Sequence, residues 1–312
     1  MPFSLISHLR HVDIAVPDYD KQLSFYRDHW GLTVVGGEPG LTYFAAEGSP
    51  EQYAVRVRES SEKRLDLIAF GAPTRADVDA LAAKLGTEGI QLVHEPQELH
   101  SPGGGYGFRL FDLEGRVIEV SADVATRKHR KIEPREDIPV RLSHVVVNSP
   151  QPEALLAWYE KHLGFRLSDT NTHPHVGAIF YFLRCSPQHH SMAIARGPHV
   201  ALQHLSFELR GIDEYMYGSG RMIRNGWEKI WGPGRHRAGD NTFTYFLDPN
   251  GNTMEYTTEL LTLDEDTWHP SIFDVTDWQT ADQWGTSNPI DDFITNKMFN
   301  DPDKGLFVAP PV

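Results

Sequence analysis

Cysteine is nearly absent. Among 312 residues only Cys185 occurs, so no internal disulfide can form and a cysteine-built zinc site is excluded. Basic residues are also in deficit: 29 Lys and Arg stand against 43 Asp and Glu, a formal charge of -14. That balance argues against a nucleic-acid partner, because phosphate binding needs clustered cations. No apolar run approaches the roughly 18 residues that cross a bilayer, so no membrane association is expected. The opening Met1-Pro-Phe-Ser-Leu-Ile-Ser-His8 lacks the basic start and apolar stretch of a signal peptide, and a cytoplasmic location is the expectation. What remains is ordinary globular material, 40% hydrophobic and 23% charged, long enough for two domains.

An internal repeat organises the chain. His11-Val-Asp-Ile-Ala-Val-Pro17, Phe25-Tyr26 and Gly31-Leu-Thr-Val-Val are followed 133 residues later by His144-Val-Val-Val-Asn-Ser-Pro150, Trp158-Tyr159 and Gly164-Phe-Arg-Leu. The ends of the repeat also match: Phe111-Asp-Leu-Glu-Gly-Arg-Val-Ile-Glu119 resembles Leu247-Asp-Pro-Asn-Gly-Asn-Thr-Met-Glu255. Each copy reads as two helices among short alternating strands. Helices are expected from Pro17 to Gly31, from Thr74 to Gly86, from Pro152 to Gly164 and from Ile212 to Asn225. Ala178–Leu183, His204–Leu209 and Thr242–Leu247 alternate as strands. The fold class is therefore α+β, two tandem domains each of two βαβββ units. The expected boundaries are a metal-free domain at 1–125, a polar linker at 126–138, a metal-binding catalytic domain at 139–263 and an extension at 264–312. Trp268, Phe273, Trp278 and Trp284 make that extension too apolar for a disordered tail, and it is expected to pack over the catalytic domain.

His144, His204 and Glu255 are the candidate metal ligands. Two neutral imidazoles and one carboxylate on one face of a metal leave open positions opposite, which suits non-haem Fe(II), with Mn(II) also acceptable to the set. His144 and His204 each begin a strand, and Glu255 lies on a third after the turn Asp248-Pro-Asn-Gly251. A carboxylate between Met254 and Tyr256 is costly to bury without a partner, and a metal ion supplies one. With 16 histidines in the chain, any one of them alone reads as surface or satisfied core. Repeat position and neighbouring residues make the triplet stand out. The first copy keeps His11 and Glu119, but its middle strand Arg64-Leu-Asp-Leu-Ile-Ala-Phe70 has no histidine, and no counterpart of His190, His236 or Tyr245 is evident. It reads as a structural copy that lost the metal.

Gly234-Arg-His236, then Tyr245-Phe-Leu-Asp-Pro-Asn-Gly251, then Glu255, resembles the signature of the type I extradiol dioxygenases, in the vicinal oxygen chelate superfamily. One departure is Thr244, where an apolar residue is usual. Gly232-Pro-Gly-Arg-His236 is most similar to the homoprotocatechuate 2,3-dioxygenase branch. The resemblance implies that His144, His204 and Glu255 hold iron. It implies His190 as the acid/base residue, with Tyr245 and His236 as the residues that contact the oxygens of the substrate. The implied partners are a small aromatic diol and O2, and the implied assembly is a homo-oligomer, by family habit a tetramer. His189, beside His190, should point to the opposite face by strand alternation. Trp231 stands where the acid-cleaving branch has an arginine. A ring there can stack on another ring but cannot pair with a carboxylate, which suggests a catechol without a carboxylate; simple core packing is an equal reading. The alternatives are a metal-dependent lyase or isomerase of the same superfamily, or a metal-free ligand-binding protein.

Overall fold

In the computed structural model, which describes residues 5–311, the chain is α+β and folds as two mixed sheets of eight and nine strands. Each sheet is built from two copies of one unit, a strand, a helix and three further strands. In the first sheet the units are His8–Val16, helix Tyr19–Ser24, Thr33–Glu38, Leu41–Ala45 and Val55–Glu59, then Arg64–Gly71, helix Arg75–Thr87, Leu92–Glu98, Tyr106–Phe111 and Val117–Ala122. In the second they are Arg141–Ser149, helix Pro152–Trp158, Arg166–His173, Gly177–Arg184 and Met192–Arg196, then Ala201–Glu208, helix Ile212–Arg224, Lys229–Arg235, Thr242–Leu247 and Thr253–Thr257. The leading strands of the two units pair antiparallel at the centre of each sheet. Each leading strand also pairs in parallel with the last strand of its own unit. No helix among the described residues is long and apolar enough to cross a membrane.

Local sequence accounts for the helices. The first helix of each module ends in a π-helical turn, Phe25–Trp30 and Tyr159–Leu163, and closes on a left-handed glycine, Gly31 at φ 86° and Gly164 at φ 72°. Thr74 caps Arg75–Thr87 by accepting from the Asp77 N–H. That helix runs through Gly86, the expected stop. A glycine ends a helix only where it takes positive φ, and here Gly89 does so.

The modules interlock reciprocally. Trp30 stacks on Tyr256 with centroids 3.9 Å apart, and the Tyr256 hydroxyl donates to the Trp30 carbonyl at 2.7 Å. In the opposite sense Phe165 meets Phe70 edge-on, and the Tyr159 hydroxyl donates to Asp112 Oδ2 at 3.1 Å. One continuous apolar core includes residues of both modules. Residues 126–138 form neither helix nor strand; the backbone N–H groups of Arg127 and Arg130 donate to Pro50 and Glu47, and Ile132 is buried.

The extension adds Ser271–Asp274 as a parallel edge strand beside Arg166–His173, then forms helices Trp278–Ala281 and Asp292–Phe299. From Asn300 onward it continues onto the first module as well as the second. Asp303 accepts from the Leu65 N–H, and the Phe307 N–H donates to the Gly115 carbonyl.

Candidate metal centre

The centre of the second sheet brings His144, His204 and Glu255 together. One ligand atom from each lies within 4.8 Å of the others, and all three residues are buried. Ser206 separates them: it pairs in register with His144 on one side and with Glu255 on the other. A register shift between Leu202 and His204 makes Gln203 an extra residue in its strand. Its Oε1 closely contacts His204 Nδ1, which donates because an amide oxygen only accepts. The Ser143 hydroxyl sits 3.1 Å from His144 Nδ1. Both Nδ1 atoms are thus engaged, and both Nε2 atoms face the carboxylate, 2.9 and 3.3 Å from Glu255 Oε2. The turn before Glu255 is held by Asp248, whose Oδ1 accepts from the N–H groups of Asn250 and Asn252.

This donor set fits a divalent metal ion. Both oxygens of Glu255 are buried without a well-formed hydrogen bond, and the nearby imidazole nitrogens approach at ion-pair distance only. Burial alone would raise the Glu255 carboxyl, but His144 and His204 outweigh it and hold the group well below the usual carboxylate range. Burial pushes the His204 imidazole down, against the pull of Glu255. An ionised carboxylate beside an imidazole whose charging burial disfavours is the state from which such a set binds metal.

The other sequence candidates line the same place. His236 Nδ1–H donates to the Ala281 carbonyl at 2.9 Å, so its Nε2 is free to accept from the Tyr245 hydroxyl at 3.0 Å. Burial lowers His236 to about 4, and burial together with the Glu255 charge raises Tyr245 well above its ordinary value. Trp231 lies parallel to Tyr245 with centroids 5.7 Å apart, and its Nε1–H donates to the Asn288 carbonyl. Thr244 is fully buried, and its hydroxyl is partnered by Tyr215 at 2.6 Å, which accounts for a polar residue at an apolar position.

His190 stands beside the triplet, its ring centroid 4.2 Å from that of His144. His189 does not point away as alternation suggests. Residues Cys185–Ser191 form an irregular connection rather than a paired strand, so the two-residue period does not apply, and His189 Nδ1 lies 2.9 Å from His190 Nδ1. His189 Nε2 is in turn 2.8 Å from Asp169 Oδ2. Sequence reasoning missed Asp169, and it missed the extension's part in holding His236 and Trp231, because backbone carbonyls carry no sequence signature.

The first module shows what the same frame does without that donor set. Glu119 pairs with Ala69 as Glu255 pairs with Ser206, which puts Leu67 at the place of His204. Arg109 pairs with Glu119 as Tyr245 pairs with Glu255, and Arg109 Nε donates to Glu119 Oε2 at 2.9 Å. His11 Nδ1 is engaged by Asp13 at 2.8 Å. Among the described residues, His144, His204 and Glu255 are the one such cluster of three.

Known proteins place this architecture. Metapyrocatechase 2 of Cupriavidus necator is 27% identical over 283 residues, 83% of each chain. A manganese-dependent 2,3-dihydroxybiphenyl 1,2-dioxygenase of Geobacillus genomosp. 3 is 24% identical, covering 85% of this chain and 89% of its own. An iron-dependent extradiol dioxygenase of Rhodococcus jostii is 24% identical, covering 79% and 88%. These named relatives are extradiol dioxygenases, and so oxidoreductases. Among solved structures, a Mn(II)-bound glyoxalase from Novosphingobium aromaticivorans is 37% identical with a TM-score of 0.89, covering 97% of this chain and 98% of its own. Homoprotocatechuate 2,3-dioxygenase from Arthrobacter globiformis shares the fold at 22% identity, with a TM-score of 0.83 and coverage of 97% and 93%. The family model of the glyoxalase/bleomycin resistance protein/dioxygenase superfamily matches residues 8–120 and 141–256. With two copies of that module making up most of its length, the chain belongs to this superfamily.

Proposed function

We propose that the protein cleaves the ring of a catecholic aromatic beside its diol, using O2 and a single divalent metal ion held by His144, His204 and Glu255. The observation that carries this is the buried Glu255 carboxylate, left without a hydrogen-bond donor and faced by two imidazole Nε2 atoms. Fe(II) is the preferred ion and Mn(II) the alternative; relatives of both kinds support either. When bound, the ion acidifies the diol and lets diol and dioxygen meet on one centre.

The chain's own residues do the rest. Tyr245 and His236, hydrogen-bonded to each other, present a hydroxyl and an imidazole with which to orient the diol oxygens. His190, buried against His144, is the residue to take up or return a proton at the reacting atoms. Trp231, parallel to Tyr245, makes the substrate side of the site aromatic and uncharged, which favours a catechol without a carboxylate.

Oxygen uptake by anaerobically prepared, Fe(II)- or Mn(II)-loaded protein tests this against a panel of catechols with and without a carboxylate. Uptake coupled to a ring-opened product is expected, faster for the neutral members and abolished in His204→Ala. The 37%-identical glyoxalase favours a second reading, a metal-dependent conversion without oxygen. Bound metal with no uptake on any catechol would support that reading instead.

A further inference from the structure

Beyond the metal centre, the least explained buried polar feature is a chain of three side chains, His190, His189 and Asp169. All three are buried, and Asp169 lies on the strand Arg166–His173, beside the edge strand of the extension. We propose that His189 and Asp169 are positioning residues for His190, fixing which of its ring nitrogens carries the proton. This rests on reading His190 as the group that moves a proton.

The argument starts from the carboxylate. Asp169 Oδ1 accepts from the Ser271 N–H at 2.7 Å, and Oδ2 lies 2.8 Å from His189 Nε2. An ionised carboxylate only accepts, so His189 carries its proton on Nε2. A neutral imidazole has one N–H, which leaves a lone pair on His189 Nδ1. Across the 2.9 Å contact the donor must then be His190 Nδ1–H. His190 Nε2 is left with its lone pair, in the tautomer that can accept a proton. A metal-ligating histidine is oriented by the same logic, and mutating its orienting partner costs about 10- to 100-fold in metal affinity or activity.

The extension completes the device. Ser271 opens its edge strand and anchors Asp169, and Trp268 stands edge-on to His189 with centroids 5.9 Å apart, its Nε1–H donating to the Ser168 carbonyl. Because the Ser271 N–H requires an oxygen, an asparagine at 169 would keep its oxygen there and turn its amide N–H towards His189. The chain of donors would then run backwards and leave the His190 proton on Nε2.

Two readouts test this. In Zn(II)-loaded protein labelled with 15N-histidine, long-range nitrogen–proton correlations should find His190 protonated on Nδ1 and His189 on Nε2, and Asp169→Asn should exchange both. In the Fe(II) or Mn(II) enzyme, Asp169→Asn and His189→Leu should lower kcat about 10- to 100-fold with KM and metal content within about twofold. His189→Asn, whose oxygen can accept from His190, should recover much of that loss. Wild-type His190 protonated on Nε2 would overturn the proposal, as would variants with kcat within about twofold of wild type. The tautomers are read without turnover, so a protein inactive on every catechol would defeat the dioxygenase reading while the spectra still judged the role of His189.

Discussion

Glu119 and Glu255 hold the same register position in the two sheets, and their partners decide what each site is. Glu255 faces two imidazoles and has no donor; Glu119 faces the Arg109 guanidinium, while Asp13 ties up His11. A guanidinium supplies in the first module the positive charge that the proposed metal would supply in the second, and Leu67 stands where His204 would offer the third ligand. Arg109→Leu should therefore leave a buried carboxylate without its cation. The expected loss is about 3–5 kcal/mol of stability, read from urea midpoints, with no change in metal content. A loss below about 1 kcal/mol would mean that Glu119 is satisfied elsewhere. The sequence shows His11 and Glu119 as survivors of the repeat, but the role of Arg109 is not legible there. Arginine does not resemble tyrosine, and the equivalence with Tyr245 emerges only from strand register.

At the scale of elements, the extension is where sequence and structure part most. The βαβββ units show through glycine stops and strand alternation, which are local signals, whereas residues 264–311 have no periodicity because they follow a surface already formed. Their contribution is made by backbone groups: Ala281 and Asn288 carbonyls receive His236 and Trp231, and the Ser271 N–H holds Asp169. Alternation likewise misplaces His189, since it lies in an irregular connection. Asp282 pins this segment to the sheet. Its Oδ1 accepts from the Arg235 and Trp284 N–H groups and its Oδ2 from the Ser287 N–H and hydroxyl. Asp282→Ala strands these donors, at about 1–3 kcal/mol for a buried group left unpaired. Faster hydrogen exchange over 281–288 is expected, with kcat/KM lower by about tenfold and metal retained. Unchanged exchange there would show that the extension is held by its apolar contacts instead.

For the molecule as a whole, acid should be the revealing stress. The chain carries a formal charge of -14, so mild acidification first relieves self-repulsion. Below that range the paired carboxylates matter. Glu51, in the first module, is the clearest: burial would raise it, but the His8 ring at 3.0 Å and the Arg10 guanidinium at 2.6 Å outweigh burial and lower it to about 2. A carboxyl held lower in the folded state than in the unfolded chain adds stability above its unfolded value, near 4.5, and loses it as pH falls through about 2. Glu51→Gln should therefore cost on the order of 2 kcal/mol at pH 7, a figure reduced from the full shift because the side chain keeps some solvent contact. The difference from wild type should shrink steadily below pH 4.5 and vanish near pH 2. Urea midpoints of both proteins across that range decide it. A difference that stays constant with pH would mean that Glu51 acts through packing and hydrogen bonds which its amide loses equally, and not through its charge.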